Sequence, residues 1–273
     1  MTERSQSPGT PAPADRGIRR RRARWGGLIA CLAGAVLLGG CGTGKPGPPP
    51  ASTGSAVDWQ VPAAIASAPL TDDTGRTTSL AAYRGKIVVL TDFLTLCQDV
   101  CPLTSANFAQ MNKAVAAAHL AGQVQFIELT VDPQRDTPAR LRAYRKLFSA
   151  PPNWSLLTAS PQVISRVWKY FGAWYNKEEE DSPAGTDWWT GRPLTYDVDH
   201  QDVLVYLDRH GHERFVISGV PNTRKDLPPA KLDQFLNDLG RTHLNHPAGD
   251  AWTVPQALQP LSWLTGVNLH AQP

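Results

Sequence analysis

The chain has 273 residues, 41% of them hydrophobic and 19% charged, which is enough for one globular domain with attachments. Its net charge of +3 is unevenly placed: seven arginines fall within residues 1–40 against two acids, Glu3 and Asp15, so the remainder is net acidic. A basic balance confined to a leader excludes nucleic acid as a partner on compositional grounds.

Residues 1–40 read as a signal peptide. Arg19 to Arg24 form a charged region, and Trp25 to Leu38 an apolar, Gly/Ala-rich core. That core is shorter than the about 20 apolar residues a membrane-spanning helix needs. It ends in Leu38-Gly39-Gly40-Cys41, which resembles a bacterial lipobox. The resemblance implies cleavage before Cys41, lipidation of its thiol, and a lipid-anchored protein on the extracytoplasmic side of the cell membrane. The alternative is an N-terminal transmembrane anchor with an incidental cysteine. The arginine cluster lacks a twin-arginine pattern, so ordinary secretion is expected. Residues 41–57 are rich in Gly, Pro, Ser and Thr and form the expected tether.

The body, residues 58–240, alternates strand and helix signals. Lys86 to Phe93 is an apolar, β-branched run and predicts a buried strand. Pro102 to Ala121 has helical spacing, with Leu103, Phe108, Met111 and Val115 as its core stripe. Gln123 to Val131 predicts a second strand. Thr137-Pro138 and Ser160-Pro161 are helix starts, a capping hydroxyl followed by a proline whose fixed φ suits the first turn. Asp202 to Leu207 and Glu213 to Ser218 flank a turn at Asp208–His212 and predict a hairpin. Pro228-Pro229 opens a last helix through Phe235 and Leu236, which Gly240 is expected to stop. This order specifies an α/β domain with a mixed central sheet flanked by helices. Residues 177–195, with an acidic run and Trp188-Trp189, look inserted. Residues 241–273 form a C-terminal extension too apolar for disorder.

With the leader removed and Cys41 lipidated, Cys97 and Cys101 are the free thiols of the mature protein. They sit between a buried strand and a helix start, where unpaired N–H groups and the helix dipole stabilise thiolates. A spacing of four puts the two Cα atoms about 6 Å apart on an ideal helix, within disulfide reach. The pair can therefore cycle between dithiol and disulfide or hold one soft metal ion, and thiolates select Cu(I), zinc or iron–sulfur centres. An imidazole is the usual complement to two thiolates. His119 is placed in a helix, His210 and His212 on a turn, and His243 and His246 in the extension. His200 stands just before an apolar strand, and spacing alone does not single it out.

These residues resemble the Sco/SenC copper chaperones of cytochrome c oxidase assembly. Cys97-Gln98-Asp99-Val100-Cys101-Pro102 is similar to the family's C-x-x-x-C-P signature, with Asp99 matching as well. Val131-Asp132-Pro133-Gln134-Arg135-Asp136-Thr137-Pro138, followed by Leu141 and Tyr144, resembles its V-D-P-x-R-D-T-P segment. Asn153-Trp154 to Leu157-Thr158 fits the tryptophan-containing strand. Val198-Asp199-His200, leading to Tyr206-Leu207-Asp208 and Gly211, is similar to its V-D-H stretch. The resemblance covers about residues 66–240. It implies a thioredoxin-like fold with an N-terminal β-hairpin, and a site for Cu(I) or Cu(II) made by Cys97, Cys101 and His200. It also implies that Cys97 and Cys101 can pair as a disulfide. The implied partners are cytochrome c oxidase subunit II, whose binuclear copper centre would receive copper or have its cysteines reduced, and a copper donor or thiol reductase.

Two departures stand out. Gln98 follows Cys97 where the family usually has proline, and Leu94-Thr95-Leu96 replaces an aromatic-rich approach. Three readings of the cysteine pair stay open: a metallochaperone without turnover, a thiol–disulfide oxidoreductase or peroxidase on the same fold, and a copper or redox sensor. For the Asp132–Thr137 segment and Tyr144 the plain reading is a capped helix-start loop and a packed aromatic.

Overall fold

A computed structural model describes residues 45–272; Cys41 and the leader lie outside the described residues. The two most apolar runs form the centre of the sheet. Strand β4 (Ile87–Phe93) and strand β5 (Val124–Thr130) are buried at all seven positions each. They pair in parallel, Ile87 opposite Val124 and Phe93 opposite Thr130. Helix α2 (Cys101–Ala117) joins them. Strand β6 (Trp154–Thr158) adds in parallel beyond β5. Strands β9 (Val203–Leu207) and β10 (His212–Ser218) form the expected hairpin, with β9 antiparallel to β4. The run β10-β9-β4-β5, one βαβ unit beside one antiparallel hairpin, is a thioredoxin-like core. Helices α3 (Pro138–Leu147) and α4 (Pro161–Tyr170) flank it, capped by Thr137 and Ser160 with proline in the first turn.

The N-terminal part completes the sheet. Strand β1 (Ser55–Gln60) pairs with β10, helix α1 (Ala63–Ala66) follows, and β2 (Leu70–Asp72) and β3 (Thr77–Thr78) form a hairpin against β6. The sheet thus has eight strands, in the order β1-β10-β9-β4-β5-β6-β2-β3. Order begins earlier than the tether at 41–57 implied. Thr53 is buried and donates to Gln259 Oε1 (2.8 Å). At Gly54 a Cβ would stand 2.3 Å from Val216 O, so only glycine lets the chain approach the sheet there. The side chains of β1 are mostly exposed. It joins through backbone bonds at an edge, which leaves no apolar pattern to read.

The segment 177–195 takes in the end of β7 (Tyr175–Glu178) and most of the connection to β8 (Asp197–His200), the two strands of a separate ribbon in which Tyr175 faces His200. The helix expected after Pro228-Pro229 is two short helices, α5 (Ala230–Asp233) and α6 (Asp238–Asn245), so Gly240 lies inside a helix and does not stop one. His119 lies beyond α2 in a left-handed conformation with φ 58°. Helix α7 (Val254–Thr265) begins with a capping box at Thr253 and Gln256. It buries Ala257, Leu258 and Leu261 against the sheet, where Tyr206 OH donates to Ala257 O (2.8 Å).

One acid stands in the middle of this core. Glu128 on β5 is fully buried; its carboxyl accepts from Ser105 Oγ (2.5 Å) and Trp154 Nε1 (3.0 Å). Burial outweighs both bonds and pushes it from 4.5 up to about 8. A folded state that keeps a proton the unfolded chain has lost is destabilised as pH rises between those two values. Asp136 and Glu213, each raised to about 7 by burial, act in the same direction. Chemical denaturation is therefore expected to show falling stability from pH 6 to pH 8. Glu128→Gln should remove roughly 2 kcal/mol of that decline; an unchanged slope in the variant would contradict this account of the buried acid.

Candidate metal centre

The cysteine loop, residues 94–100, connects the end of β4 to the start of α2. Cys101 is the first residue of α2 and is buried, whereas Cys97 in the loop is half-buried. The backbone N–H groups of Asp99 and Cys101 both donate to Cys97 Sγ at 3.4 Å. This is the anion-stabilising geometry of a helix N-terminus. Leu94 N donates to Cys101 Sγ at 3.5 Å. Both cysteines are free thiols here.

His200 ends β8 and brings Nε2 to 3.4 Å from Cys101 Sγ. Its Nδ1 donates to Asp92 Oδ2 (2.7 Å), while Asp92 Oδ1 accepts from Val203 N (3.0 Å). Asp92 thereby fixes the ring and turns Nε2 toward the sulfurs, as a carboxylate behind a ligating histidine does. The donor atoms of Cys97, Cys101 and His200 all lie within 4.8 Å of one another. The other histidines lie apart from this cluster: His210 sits on the β9–β10 turn, and His212 Nδ1 is 3.5 Å from Asp58.

Electrostatics divide the two thiols. Cys97 is held well below the usual thiol range, first by the hydrogen bond from the Cys101 thiol and then, against the opposing effect of burial, by His200. Cys101 is pushed well above that range by burial and by the Cys97 thiolate. For His200 burial disfavours the charged ring, but the Asp92 carboxylate and the Cys97 sulfur outweigh it and hold the ring well above the ordinary imidazole range. Without a metal, the site favours the thiolate at Cys97 and the protonated ring at His200 and disfavours a second thiolate at Cys101. Two sulfurs and one imidazole nitrogen form a soft donor set that suits Cu(I), and the imidazole admits Cu(II).

Buried acids hold the loop in place. Asp136 accepts from Thr95 N (3.3 Å), from the Thr95 hydroxyl and from Thr130 Oγ1 (2.5 Å). Asp132 binds Arg135 and accepts from Tyr196 OH (2.9 Å), and Arg135 donates to Tyr196 O (2.7 Å). The Asp132–Thr137 segment therefore ties the cysteine loop to the chain leading into His200. Thr137 does cap α3, but capping explains only that residue. Tyr144 is a packed aromatic, beside Phe93 and Phe148.

Sequence reading missed Asp92, gave Asp136 no role beyond its helix-start segment, and did not bring Asp99 and His243 together. Asp92 carries a signal, an acid inside the run Ile87–Phe93. His243 carries none, because it is 144 positions from its partner. Its Nδ1 lies 2.6 Å from Asp99 Oδ1. Helix α6 comes this close because Asn237 N donates to Gln98 O (2.8 Å), and because a Cβ at Gly240 would stand only 2.6 Å from that same oxygen. From the other side, Gln98 Nε2 donates to Thr186 O (2.7 Å) in the 177–195 segment. A cavity of about 730 Å³ opens over Cys97, Asp99, His200 and His243.

A sequence profile of the SCO1/SenC family matches residues 63–225. The mitochondrial protein SCO2 homologue of Bos taurus is 30% identical over 138 residues, 50% of this chain and 47% of that one. The chain thus spans about half the length of that curated relative. Among solved structures, a SCO1/SenC family lipoprotein of Bacillus anthracis is 26% identical with a TM-score of 0.49, covering 67% of this chain and 98% of that one. Arabidopsis thaliana ScoI, solved with copper bound, is 24% identical with a TM-score of 0.46, covering 66% and 93%.

The divided thiols give a direct expectation. In the reduced, metal-free protein iodoacetamide should label Cys97 well before Cys101, at a rate that persists below the ordinary thiol pKa. Peptide mapping that found Cys101 labelled first would contradict this assignment.

Proposed function

The chain belongs to the SCO1/SenC family, and on that premise we propose that it is a copper metallochaperone holding one ion through Cys97 Sγ, Cys101 Sγ and His200 Nε2. Copper is its cargo. The observation that carries this reading is the convergence of two sulfurs and an oriented Nε2 within 4.8 Å, with Cys97 and His200 lining an open cavity and Cys101 buried behind them. Thiolates retain Cu(I), and the imidazole fixed by Asp92 supplies the donor that Cu(II) prefers. Cys97 is half-buried and faces the cavity, so it is the ligand an acceptor's thiolate can displace first. The proposed recipient is the binuclear copper centre of cytochrome c oxidase subunit II, with a separate copper donor upstream.

The lowered Cys97 and raised Cys101 also support a second reading, reduction of that centre's cysteines. The Cys97 thiolate attacks a disulfide sulfur of the acceptor and releases one acceptor thiolate. The Cys101 thiolate then displaces the other, leaving a Cys97–Cys101 disulfide and a reduced acceptor dithiol. Two electrons pass to the acceptor, and a thiol reductase must return them.

We place the protein on the extracytoplasmic face of the cell membrane, anchored by a lipid on Cys41. No helix among the described residues is long and apolar enough to cross a membrane. Cys41→Ala should move the protein from the membrane fraction to the soluble one; continued membrane association would refute the anchor.

The reduced protein is expected to bind close to one copper per chain. Cys97→Ala or Cys101→Ala should abolish binding, and His200→Ala should weaken it, most for Cu(II). Asp92→Asn should lower affinity roughly 10–100-fold through the misoriented ring. Competition titrations measure each value. Unchanged affinity and spectra in His200→Ala would exclude the three-ligand site, whereas rapid disulfide reduction retained in that variant would favour the second reading.

A further inference from the structure

Two histidines line the cavity above the thiols, and both are oriented in the same way. His200 Nδ1 binds Asp92 at 2.7 Å, and His243 Nδ1 binds Asp99 at 2.6 Å. An imidazole whose Nδ1–H donates to a carboxylate directs Nε2 outward, and with the proton off Nε2 this is the usual form of a metal-ligating histidine. The Nε2 of His200 is turned to Cys101. The Nε2 of His243 has no hydrogen-bond partner among the described residues, and its side chain remains one-fifth exposed at the cavity wall. His243 stands outside the 4.8 Å cluster of Cys97, Cys101 and His200, so in this geometry it does not share their ion.

The placement of His243 is built into the chain. Asn237 caps α6, accepting from Gly240 N (2.8 Å), while its own N–H donates to Gln98 O (2.8 Å). Gly240 lets the helix lie directly on the cysteine loop, and one turn later His243 reaches Asp99, two residues from each cysteine. The cavity lining includes six aspartates and, among the described residues, no lysine or arginine; burial raises Asp202 to about 8, and the remaining acids give the wall a field that draws cations.

We propose that His243 Nε2 is a second copper ligand of this protein, a docking position at the cavity wall where the ion is held before it reaches the thiols. This inference rests on the reading of Cys97, Cys101 and His200 as the copper site. Donor hardness then changes along the path. Imidazole and water suit Cu(II) at the wall, and the set of two sulfurs with the His200 imidazole, which admits Cu(II), takes the same ion without a change of oxidation state. Binding at His243 displaces any proton on Nε2 and involves no electron transfer. The residue lies beyond positions 63–225, so the position is supplied by this chain's own C-terminal segment.

The test uses Cu(II) alone as the probe. In the full chain carrying Cys97→Ser, Cys101→Ser and His200→Ala, one Cu(II) should bind with the electron paramagnetic resonance signature of a coordinated imidazole. Adding His243→Asn should remove that signal. Asparagine keeps a side-chain N–H for Asp99 but has no Nε2, so a merely structural role for His243 predicts no change. As a second measurement in the chain with its natural thiols, His243→Asn should slow Cu(II) uptake about tenfold in stopped flow. An imidazole signal that survives His243→Asn, or uptake at the unaltered rate, overturns the proposal. Should the natural chain fail to hold copper at Cys97 and Cys101, the functional reading itself falls and this inference falls with it.

Discussion

The hydrogen bond from His200 Nδ1 to Asp92 Oδ2 organises this site. It joins the end of the central strand β4 to the end of β8, two segments 108 positions apart. Asp92 is almost fully buried and also receives Val203 N, so its carboxylate holds the start of β9 together with the ring. The charge that Asp92 brings into the interior is compensated by the imidazolium, and the imidazolium in turn favours a thiolate at Cys97. A buried carboxylate, a ring and a sulfur thus form one electrostatic chain. Removing the ring leaves two anions uncompensated in a region of low dielectric.

Around that chain the fold supplies rigidity. The cysteine loop is held through Thr95, whose N–H and hydroxyl go to Asp136 and whose carbonyl accepts from Trp188 Nε1 (2.6 Å). Arg140 pairs with Asp187 through two bonds of 2.9 Å, which fixes the segment bearing Trp188. The 177–195 segment and helix α6 then grip Gln98 from opposite sides. Gln98 offers what proline at that position cannot: a side-chain amide that reaches Thr186 O. The departure from the family's motif is thereby coupled to the two segments that look like additions to the domain.

Much of the core was legible in the sequence because burial leaves a pattern. β4, β5 and the β9–β10 hairpin fall where apolar, β-branched runs and turn residues place them, and Thr137 and Ser160 cap their helices as their types require. Cys97 and Cys101 followed from chemistry and position, whereas His200 needed the V-D-H resemblance. What stayed hidden was whatever depends on contacts distant in sequence and neutral in pattern. β1 joins an edge through its backbone, Gly240 marks a close approach of two backbones inside a helix, and His243 meets Asp99 from the far end of the chain. A glycine after a helical run signals a stop on local grounds, and only tertiary packing reverses that reading.

The central claim is that Cys97, Cys101 and His200 form one coordination sphere. X-ray absorption at the copper edge of the loaded protein measures it directly. Two sulfur scatterers and one imidazole nitrogen are predicted in the natural chain, and His200→Ala should remove the nitrogen while leaving both sulfurs. A first shell that is unchanged by His200→Ala, or one that holds a single sulfur in the natural chain, would contradict the account.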